Sequence, residues 1–348
     1  MERAIRPSSV DWTEFCAETR AARTFVVMGH VRPDGDTIGS ILAMKRALVA
    51  LGKEVLLVDG HSVPPGLAFI DPNREVRKIE ELTDAERAFA ASADVVMTVD
   101  VSSWGQLGPD ATALFQGNPS AKKLVVDHHA VGDSFGDVRC VDASADSAGS
   151  LVFEAIRALG VSLTKEIADA LFVAISTDTG WFRFGSTTAE TLSRVAALVD
   201  AGVQIDAMYR ELNEQESYGR FKLFGEVALG CERFLDGKGI FMRLSQKDFA
   251  EAGAIMSDSE DLVNEPLRIA GTEVAVIAVE QKDGTVKASF RSRCAMDCAN
   301  LAREFGGGGH ARAAGATLAT GLEDACMALK QKTAEFYAAS KAEEARKG

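Results

Sequence analysis

Histidine and aspartate residues stand at the ends of several short, β-branched runs in this 348-residue chain. His30 follows TFVVMG, Asp100 follows DVVMTV, and KLVV is followed by Asp127, His128 and His129. Runs of this kind predict buried parallel strands. Open α/β sheets bind their ligands at the carboxyl ends of the strands. We therefore expect these five side chains to lie at one edge of a sheet.

Two further segments add carboxylates. In GHVRPDGDTIGS, Pro33 and Gly35 predict a turn rather than a helix, so that Asp34 and Asp36 point at neighbouring places. The alternative is an ordinary strand-to-helix loop in which an aspartate caps the next helix. Asp178 follows an apolar helical stretch in ISTDTGWFRF. Taken alone, it is more typical of a helix end than of a ligand.

Four carboxylates and two imidazoles from these segments are too acidic a set to stay unpaired in a cleft. Like charges in such proximity must be protonated or bound to cations. Two divalent ions ~3.5–4 Å apart use such a set, and they clamp the attacking and leaving oxygens of a displacement at phosphorus. Oxygen-rich ligation with a minority of imidazoles favours Mn²⁺ or Mg²⁺ over iron or zinc. Of the two, we expect Mn²⁺, with Mg²⁺ as the alternative. The predicted metal ligands are His30, Asp34, Asp36, Asp100, His128 and Asp178.

The elements that would position these residues follow the pattern of parallel α/β units. From residue 24 onward, each β-branched run is followed by a turn and a helical stretch such as residues 38–51. The fold class is therefore α/β, with a doubly wound parallel sheet in an N-terminal domain over residues 20–195. A helical linker over 196–224 would lead to a smaller α/β C-terminal domain with a mixed sheet over 225–342.

Within the second domain, TEVAVIAVEQ and TVKASFRS are separated by Lys282-Asp283-Gly284, which predicts a hairpin. A helix from Cys298 to Phe305, a four-glycine loop and a strand near ATLA would follow. The stretch from Val286 to Gly315 is locally basic. Glycines without a Cβ let backbone N–H groups approach an anion, and Arg291 and Arg312 can form bidentate contacts with phosphate. The alternative for the glycine run is a flexible loop.

Composition excludes several classes of protein. The net charge of -13, from 38 Lys+Arg and 51 Asp+Glu, argues against a protein that coats long duplex nucleic acid. The six cysteines form no dense framework, and MERAIRPSSVDW lacks the apolar stretch of an export signal. No run approaches ~18 uninterrupted apolar residues. We expect a cytoplasmic protein without a membrane-spanning segment.

The aromatic residues Trp181, Phe182 and Phe184 lie around Arg183. Exposed aromatic side chains stack on bases in proteins that bind single strands. Alternating apolar residues are explained equally well by core packing. The sequence leaves both interpretations open.

In their order and spacing, GHVRPDGDTIGS, VDVSS, VVDHHA and ISTDTGWFRF resemble the four motifs of the DHH phosphoesterases, named for the triplet Asp127-His128-His129. EDLVNEPLRIAGTEVAV, ASFRSR and FGGGGHARAAG resemble the DHH-associated C-terminal domain of the nanoRNase, or oligoribonuclease and pAp-phosphatase, branch. The resemblance covers nearly the whole chain, from about residue 20 to about residue 340. Its specificity comes from the combination of motifs.

The resemblance implies a role for each matching residue. Asp100 would bridge the two ions. Asp127 would fix an imidazole, with direct ligation as the alternative, and His129 would contact the phosphate and stabilise or protonate the leaving oxygen. One ion would be held by His30, Asp34 and Asp100, and the other by Asp36, Asp100, His128 and Asp178. The substrate-binding residues would be Arg291, Ser292, Gly307, Gly308, Gly309, His310 and Arg312.

The implied activity is manganese-dependent hydrolysis of di- to pentanucleotides to mononucleotides, by attack on phosphorus of water activated by the two ions. 3′-Phosphoadenosine 5′-phosphate is a second implied substrate. The alternatives are a phosphodiesterase of linear or cyclic dinucleotides and a catalytically silent nucleotide-binding sensor, which would usually lack a ligand. The expected partners are short oligonucleotides or a nucleotide bisphosphate, with no long duplex nucleic acid and no membrane; a homodimer is left open.

Overall fold

Six parallel strands form the sheet of the first of two units, and the boundary between the units in the sequence lies between Gln215 and Glu216. The computed structural model describes residues 9–347. The strand order is β3-β2-β1-β4-β5-β6, and every neighbouring pair is parallel. The predicted parallel α/β fold is confirmed, although the edge strands β3 and β6 were not predicted. The strands are β1 (Thr24–Met28), β2 (Glu54–Asp59), β3 (Val76–Lys78), β4 (Val95–Val99), β5 (Lys122–Asp127) and β6 (Val138–Val141).

Helices cover both faces of this sheet. Phe25 and Val27 of β1 pack into one core with α2, α5 and α6, whereas Val26 and Met28 pack into another core with α3 and α4. The alternation follows from the two-residue period of a strand. The helices are α1 (Thr13–Ala21), α2 (Gly35–Ala50), α3 (Asp84–Ser92), α4 (Trp104–Gly117, kinked at Gly108), α5 (Ala148–Leu159), α6 (Lys165–Asp178), α7 (Ala189–Asp200) and α8 (Ile205–Asn213).

The order of the strands reverses between β1 and β4. From β1 the chain proceeds outward to β2 and β3, and it then returns to place β4, β5 and β6 on the other side of β1. In doubly wound sheets, ligands bind at the carboxyl ends of the strands at such a reversal. The loops after β1 and β4 therefore begin at the point where this fold accommodates a ligand.

Helix α2 begins earlier than the sequence pattern predicted. Residues 34–36 were expected in a turn before a helix over 38–51, but the helix starts at Gly35. The Asp34 side chain accepts a hydrogen bond from the Thr37 N–H (3.1 Å) and so caps the first turn. Asp36 therefore projects from a helix rather than from a loop, and the capping interpretation of Asp34 applies.

A buried charged network fixes the start of α5. Arg194 of α7 donates to Glu154, and its Nη1 lies 3.9 Å from Asp146 Oδ2. Asp146 also accepts from Ser150 Oγ (2.5 Å), in the first turn of α5. Arg194 is only 6% exposed. The network thus joins α7 to the amino-terminal end of α5.

A mixed six-stranded sheet forms the second unit. Its order is β11-β12-β10-β9-β8-β7, with β8 and β9 parallel and the other pairs antiparallel. The predicted mixed sheet and the predicted hairpin between β9 and β10 are confirmed. The elements are α9 (Tyr218–Gly230), β7 (Glu232–Phe234), β8 (Gly239–Leu244), α10 (Gln246–Ala252), β9 (Val274–Glu280), β10 (Val286–Ser292), α11 (Cys298–Arg303), β11 (Gly308–His310), β12 (Ala313–Leu318) and α12 (Leu322–Lys347).

The predicted linker, residues 196–224, contains the end of α7, all of α8 and the start of α9. Helix α8 lies in the first unit and α9 in the second. Most of the export-signal segment considered above, residues 1–8, lies outside the described residues. Over residues 9–347, no helix combines the length and the apolar character needed to cross a membrane.

Replacing Arg194 by methionine tests the charged network. The change leaves buried carboxylates without their guanidinium, and losing one partner of a buried ion pair costs about 3–5 kcal/mol. We expect the free energy of unfolding, measured by urea denaturation at pH 7, to fall by about that amount. The control is Arg210→Met, because Arg210 is an exposed residue of α8 whose pair with Asp206 should contribute at most ~1 kcal/mol. Equal losses in both variants would contradict a structural role of the network.

Candidate metal centre

Six of the residues predicted as ligands converge at the carboxyl edge of the first sheet. His30 Nε2 lies 3.4 Å from Asp100 Oδ2 and 3.9 Å from Asp34 Oδ1. On the other side, His128 Nε2 lies 3.6 Å from Asp100 Oδ1. It also lies 3.7 Å from both Asp36 Oδ2 and Asp178 Oδ2. Two groups of predicted ligands thus bring ligand atoms within 4.8 Å of one another, His30 with Asp34 and Asp100, and Asp36 with His128 and Asp178. A third group of the same kind consists of Asp100, His128 and His129.

Asp100 lies between the two groups. One carboxylate oxygen faces His30 and the other faces His128, which is the orientation that a bridging carboxylate requires. The residue has a left-handed backbone (φ 63°), uncommon for a residue other than glycine, and its N–H donates to Val126 O (2.9 Å). Thr37 Oγ1 donates to Asp100 Oδ2 (2.6 Å). The end of β4 is therefore turned and held so that both oxygens reach the cluster.

Asp36 is bound by the amino-terminal end of α5. Its two oxygens accept hydrogen bonds from the N–H groups of Ala148 (2.7 Å) and Gly149 (2.8 Å), and Ser40 Oγ donates to it as well (3.1 Å). Unpaired amides at the start of a helix carry partial positive charge and stabilise an anion. This contact holds a buried carboxylate in place next to two others, Asp100 and Asp178.

Close packing of α2 against α6 brings Asp36 and Asp178 to the same place. A Cβ atom on Gly35 would collide with the side chain of Thr177, and one on Gly39 would collide with the backbone of Ala170. The absence of these atoms lets the two helices approach each other. Since Asp178 is the last residue of α6, its carboxylate then reaches His128.

His129 pairs with Asp127 and also lies within reach of Asp100 and His128. Its Nδ1 lies 2.7 Å from Asp127 Oδ1, and 3.8 Å from Asp100 Oδ1. The imidazole is half-buried, whereas Asp127 is buried. The hydrogen bond to Asp127 and the charge of that carboxylate raise the pKa of His129. Asp127 therefore orients the second histidine of the triplet, not His128.

The crowded charges shift the pKa values of the cluster. Burial alone would lower the pKa of His30, but the hydrogen bond and the charge of Asp100 outweigh it and raise the pKa to about 9. The pKa of His128 rises to about 10 against the same effect of burial, through Asp100 and Asp36. Burial raises the pKa of Asp178 to about 6, and that of Asp36 well above its usual range. Without a metal, the two imidazolium groups are the cations that balance the carboxylates.

This donor set fits divalent cations. Carboxylate oxygens outnumber imidazole nitrogens, and none of the six cysteines belongs to either group. Hard oxygen donors with few imidazoles are the ligands preferred by Mn²⁺ and Mg²⁺, whereas softer metals select thiolates. The two groups could hold two ions, and Asp100 of the first group faces His128 of the second through its other carboxylate oxygen.

The substrate-binding residues predicted by resemblance lie around one end of strands β10, β11 and β12. Arg291 and His310 both pair with Ala313, so their side chains lie on the same face of the sheet. Arg291 Nε donates to Asn264 Oδ1 (2.9 Å), and Arg312 donates to the Cys294 carbonyl. Arg312 and His310 are exposed.

Ser292 and the glycines have structural roles that the sequence did not reveal. Ser292 is buried, and its Oγ donates to Cys294 O (3.1 Å). The predicted four-glycine loop is wrong for Gly308 and Gly309, which form strand β11 with His310. The Gly307 N–H donates to Ala302 O (2.9 Å), and Cβ atoms on Gly307 or Gly309 would collide with β12. Close approach to β12 therefore explains these two glycines.

Sequence reasoning missed the groups that hold the ligands. Thr37 and Ser40 stand in the first turns of α2, where D-G-D-T was the available signal for a cap. The backbone amides of Ala148 and Gly149 have no side-chain signature, but Ser147 marks the start of their helix, because its Oγ accepts from the Ser150 N–H (3.1 Å). The capping residue Ser147 could therefore have indicated that a helix begins here and that its first amides can bind a carboxylate.

Comparisons with known proteins agree with this architecture. The bifunctional oligoribonuclease and PAP phosphatase NrnA of Thermus thermophilus is 34% identical over 293 residues, which cover 83% of this chain and 82% of that protein. The protein of the same name from Bacillus subtilis is 28% identical over 300 residues, 85% of this chain and 89% of that protein. The structure of an exopolyphosphatase-related protein from Bacteroides fragilis shares the fold, with a TM-score of 0.84, 24% identity and coverage of 95% of this chain and 98% of that chain.

Family descriptions match both units. The DHH family, N-terminal domain, matches residues 24–175, and the DHHA1 domain matches residues 236–339. The first match contains the metal-ligand groups except Asp178, and the second contains Arg291 and the glycine-rich strand. Both matches and the identity to NrnA lead to one conclusion: the chain belongs to the DHH family.

Proposed function

We propose that this protein is a metal-dependent phosphoesterase that hydrolyses short oligonucleotides to mononucleotides, with 3′-phosphoadenosine 5′-phosphate as a second substrate. The observation that carries the proposal is the pair of ligand groups on either side of Asp100. The substrate class rests on the relatives named oligoribonuclease and PAP phosphatase. A sensor without catalytic activity would have no need of two complete ligand groups.

The proposed cofactor is a pair of divalent ions, Mn²⁺ in preference to Mg²⁺. Bound by the two groups, such ions would lower the pKa of a water molecule and neutralise charge that develops on the phosphoryl oxygens. The chain's own contribution is to hold the ligands in place. Thr37 orients Asp100, and the start of α5 orients Asp36. Neither aspartate has to reorganise when charge appears on the substrate.

His129 is proposed to assist the leaving group. With Nδ1 on Asp127, its other ring nitrogen is the one available to a phosphate oxygen or to the departing oxygen. The hydrogen bond to Asp127 and the charge of that carboxylate stabilise the imidazolium form and raise the pKa of His129. A protonated imidazole can donate that proton to an alkoxide as it leaves.

The second unit is proposed to bind the terminal phosphate of the substrate. Arg291 is oriented by Asn264, and His310 lies on the same sheet face. An oriented guanidinium forms charge-assisted hydrogen bonds with phosphate oxygens. Recognition of a chain end would favour short substrates over long ones. A partner of this kind is small and anionic, in keeping with a chain of net charge -13 that does not attract long nucleic acid.

Turnover of a dinucleotide tests the proposed activity. Purified protein with Mn²⁺ should hydrolyse a 5′-phosphorylated dinucleotide, and Asp100→Asn should lower kcat/KM by more than the ~10–100-fold that loss of an outer partner of a ligand costs. The control is His61→Ala, an exposed histidine outside both ligand groups. The values of kcat/KM on 3′-phosphoadenosine 5′-phosphate and on linear and cyclic dinucleotides rank the alternative substrates. Tight binding without turnover across several metals would favour the sensor instead.

Substitution of Arg291 separates the contact with the terminal phosphate from hydrolysis at the metal centre. Arg291→Ala should sharply reduce turnover of 5′-phosphorylated dinucleotides, because the guanidinium contact is lost. Turnover of a generic phosphodiester reporter without a terminal phosphate should persist. Lys282→Ala, which removes one exposed positive charge from the turn between β9 and β10, is the matched control. Equal loss on both substrates in Arg291→Ala would refute the assignment.

The affinity for Mn²⁺ should depend on pH. In the metal-free protein, the pKa of His30 is raised to about 9 and that of His128 to about 10, so both rings carry a proton at pH 7. A metal ion binds only the neutral imidazole, and binding must release these protons. Mn²⁺ affinity should therefore increase as the pH rises towards about 9–10, and it should weaken as the pH falls.

Titration calorimetry at pH 7, in buffers that differ in ionisation enthalpy, measures the number of protons released. The two imidazoles together should contribute about two protons when both sites fill. His30→Ala should reduce the number, whereas His61→Ala should leave it unchanged. Binding of Mn²⁺ with no net proton release in the unaltered protein would show that the imidazoles are neutral before the metal arrives.

A further inference from the structure

Two of the three aromatic residues after Asp178 belong to the core of the first unit. Trp181 and Phe182 both have left-handed backbones (φ 58° and 62°). Their rings pack edge-on against Phe172 of α6, with centroids 5.6 and 6.0 Å away, and Trp181 also contacts Tyr209 (5.0 Å). Packing against the core therefore explains the positions of these two partly buried rings.

Phe184 differs from both. It is 54% exposed, and its ring lies over Gly180, where any Cβ atom would collide with it. The backbone around it is firmly held, because the N–H groups of Arg183 and Phe184 donate to Thr179 O (3.0 and 3.1 Å) and Thr187 N–H donates to Phe184 O (3.1 Å). The ring is thus supported on one side and open to solvent elsewhere.

The residue under this ring, Gly180, is close in sequence to a metal-ligand group. Asp178 Oδ2 lies 3.7 Å from His128 Nε2, and Gly180 follows Asp178 by two residues. Consecutive Cα atoms are about 3.8 Å apart, so the glycine under the ring is at most about 7.6 Å from the Cα of Asp178. The exposed ring of Phe184 therefore rests on a residue whose Cα lies within about 7.6 Å of the Cα of a predicted metal ligand.

A cation accompanies the ring. Arg183 is exposed, and its Nε donates to Gly180 O (2.7 Å), which keeps the guanidinium close to the same turn. A cation beside an open aromatic face suits a ligand that combines negative charge with a flat π system. A nucleotide has both features, whereas an aliphatic phosphoester or inorganic polyphosphate has only the charge.

We propose that Phe184 stacks on a nucleobase of the substrate whose phosphate lies at the two ligand groups. This inference rests on the proposed function and adds a specificity-determining residue in the first unit. Stacking is tolerant of base identity, because every base has a π face. Phe184 would therefore favour nucleotides over other phosphoesters without selecting a particular base.

The test compares Phe184→Ala with the unaltered protein on three substrates: a 5′-phosphorylated dinucleotide and its two analogues, each with one abasic residue. Loss of a stacked base corresponds to a decrease of about 5- to 150-fold in kcat/KM. We expect this decrease on the intact dinucleotide and on one analogue, with none on the analogue that lacks the stacked base. Phe184→Tyr should restore turnover. Leu192→Ala, at 53% exposure on α7, is the matched control.

Two kinetic results would overturn the proposal: no decrease in the kcat/KM of Phe184→Ala, or an equal decrease on all three substrates. A lower molecular mass of Phe184→Ala than of the unaltered protein in solution would also overturn it, because the ring would then cover another protein surface. The tryptophan fluorescence of Phe184→Trp, corrected for the native tryptophans, reports stacking in a measurement that does not depend on turnover. Quenching by the intact dinucleotide but not by one analogue would support stacking even if the unaltered protein proved inactive, so that the two proposals can fail separately. Absence of quenching in an active protein would contradict stacking alone.

Discussion

Charge compensation among the carboxylates at the carboxyl edge of the first sheet is the constraint on which the site depends. Asp36, Asp100 and Asp127 are buried there, and each is matched by a different donor: helix amides, a threonine hydroxyl with two imidazoles, or a single imidazole. Because the donors come from separate elements, the cluster can form only when the strand order, the start of α5 and the packing of α2 on α6 are all in place. The same arrangement leaves the oxygens close enough to share cations.

Comparison of two buried aspartates shows how these donors control protonation. Asp59, at the end of β2, is fully buried, and its Oδ2 has no hydrogen-bond partner among the described residues. Burial raises its pKa to about 7 despite the His61 N–H on the other oxygen. Asp100 is buried to nearly the same degree, yet the hydrogen bonds from His128, His30 and Thr37 outweigh burial and lower its pKa. An ionised Asp100 is what a bridging ligand must be, and the surrounding donors provide that state.

The sequence was sufficient to predict the sheet and the converging ligands, because histidines and aspartates directly follow the β-branched runs and these residue types indicate metal binding. It was insufficient where short-range geometry decided the structure. The three-residue strands β3, β7 and β11 are too short to give a periodic pattern, and β11 contains two glycines. The start of α2 depended on whether the Asp34 side chain would reach the Thr37 N–H. Backbone donors such as the Ala148 amide have no signature of their own in a sequence.

Glycines were the residues whose role was hardest to infer, because the same residue type serves opposite purposes. Gly39 in the middle of α2 weakens the helix intrinsically but allows α6 to approach, and the position of Asp178 depends on that approach. Gly307 and Gly309 looked like an anion-binding loop, although their lack of a Cβ atom is required by contact with β12. If the second unit binds phosphate, the binding must therefore come chiefly from side chains that the sheet orients, Arg291 and His310, and the glycines contribute by letting β11 lie close enough to place His310 beside Ala313.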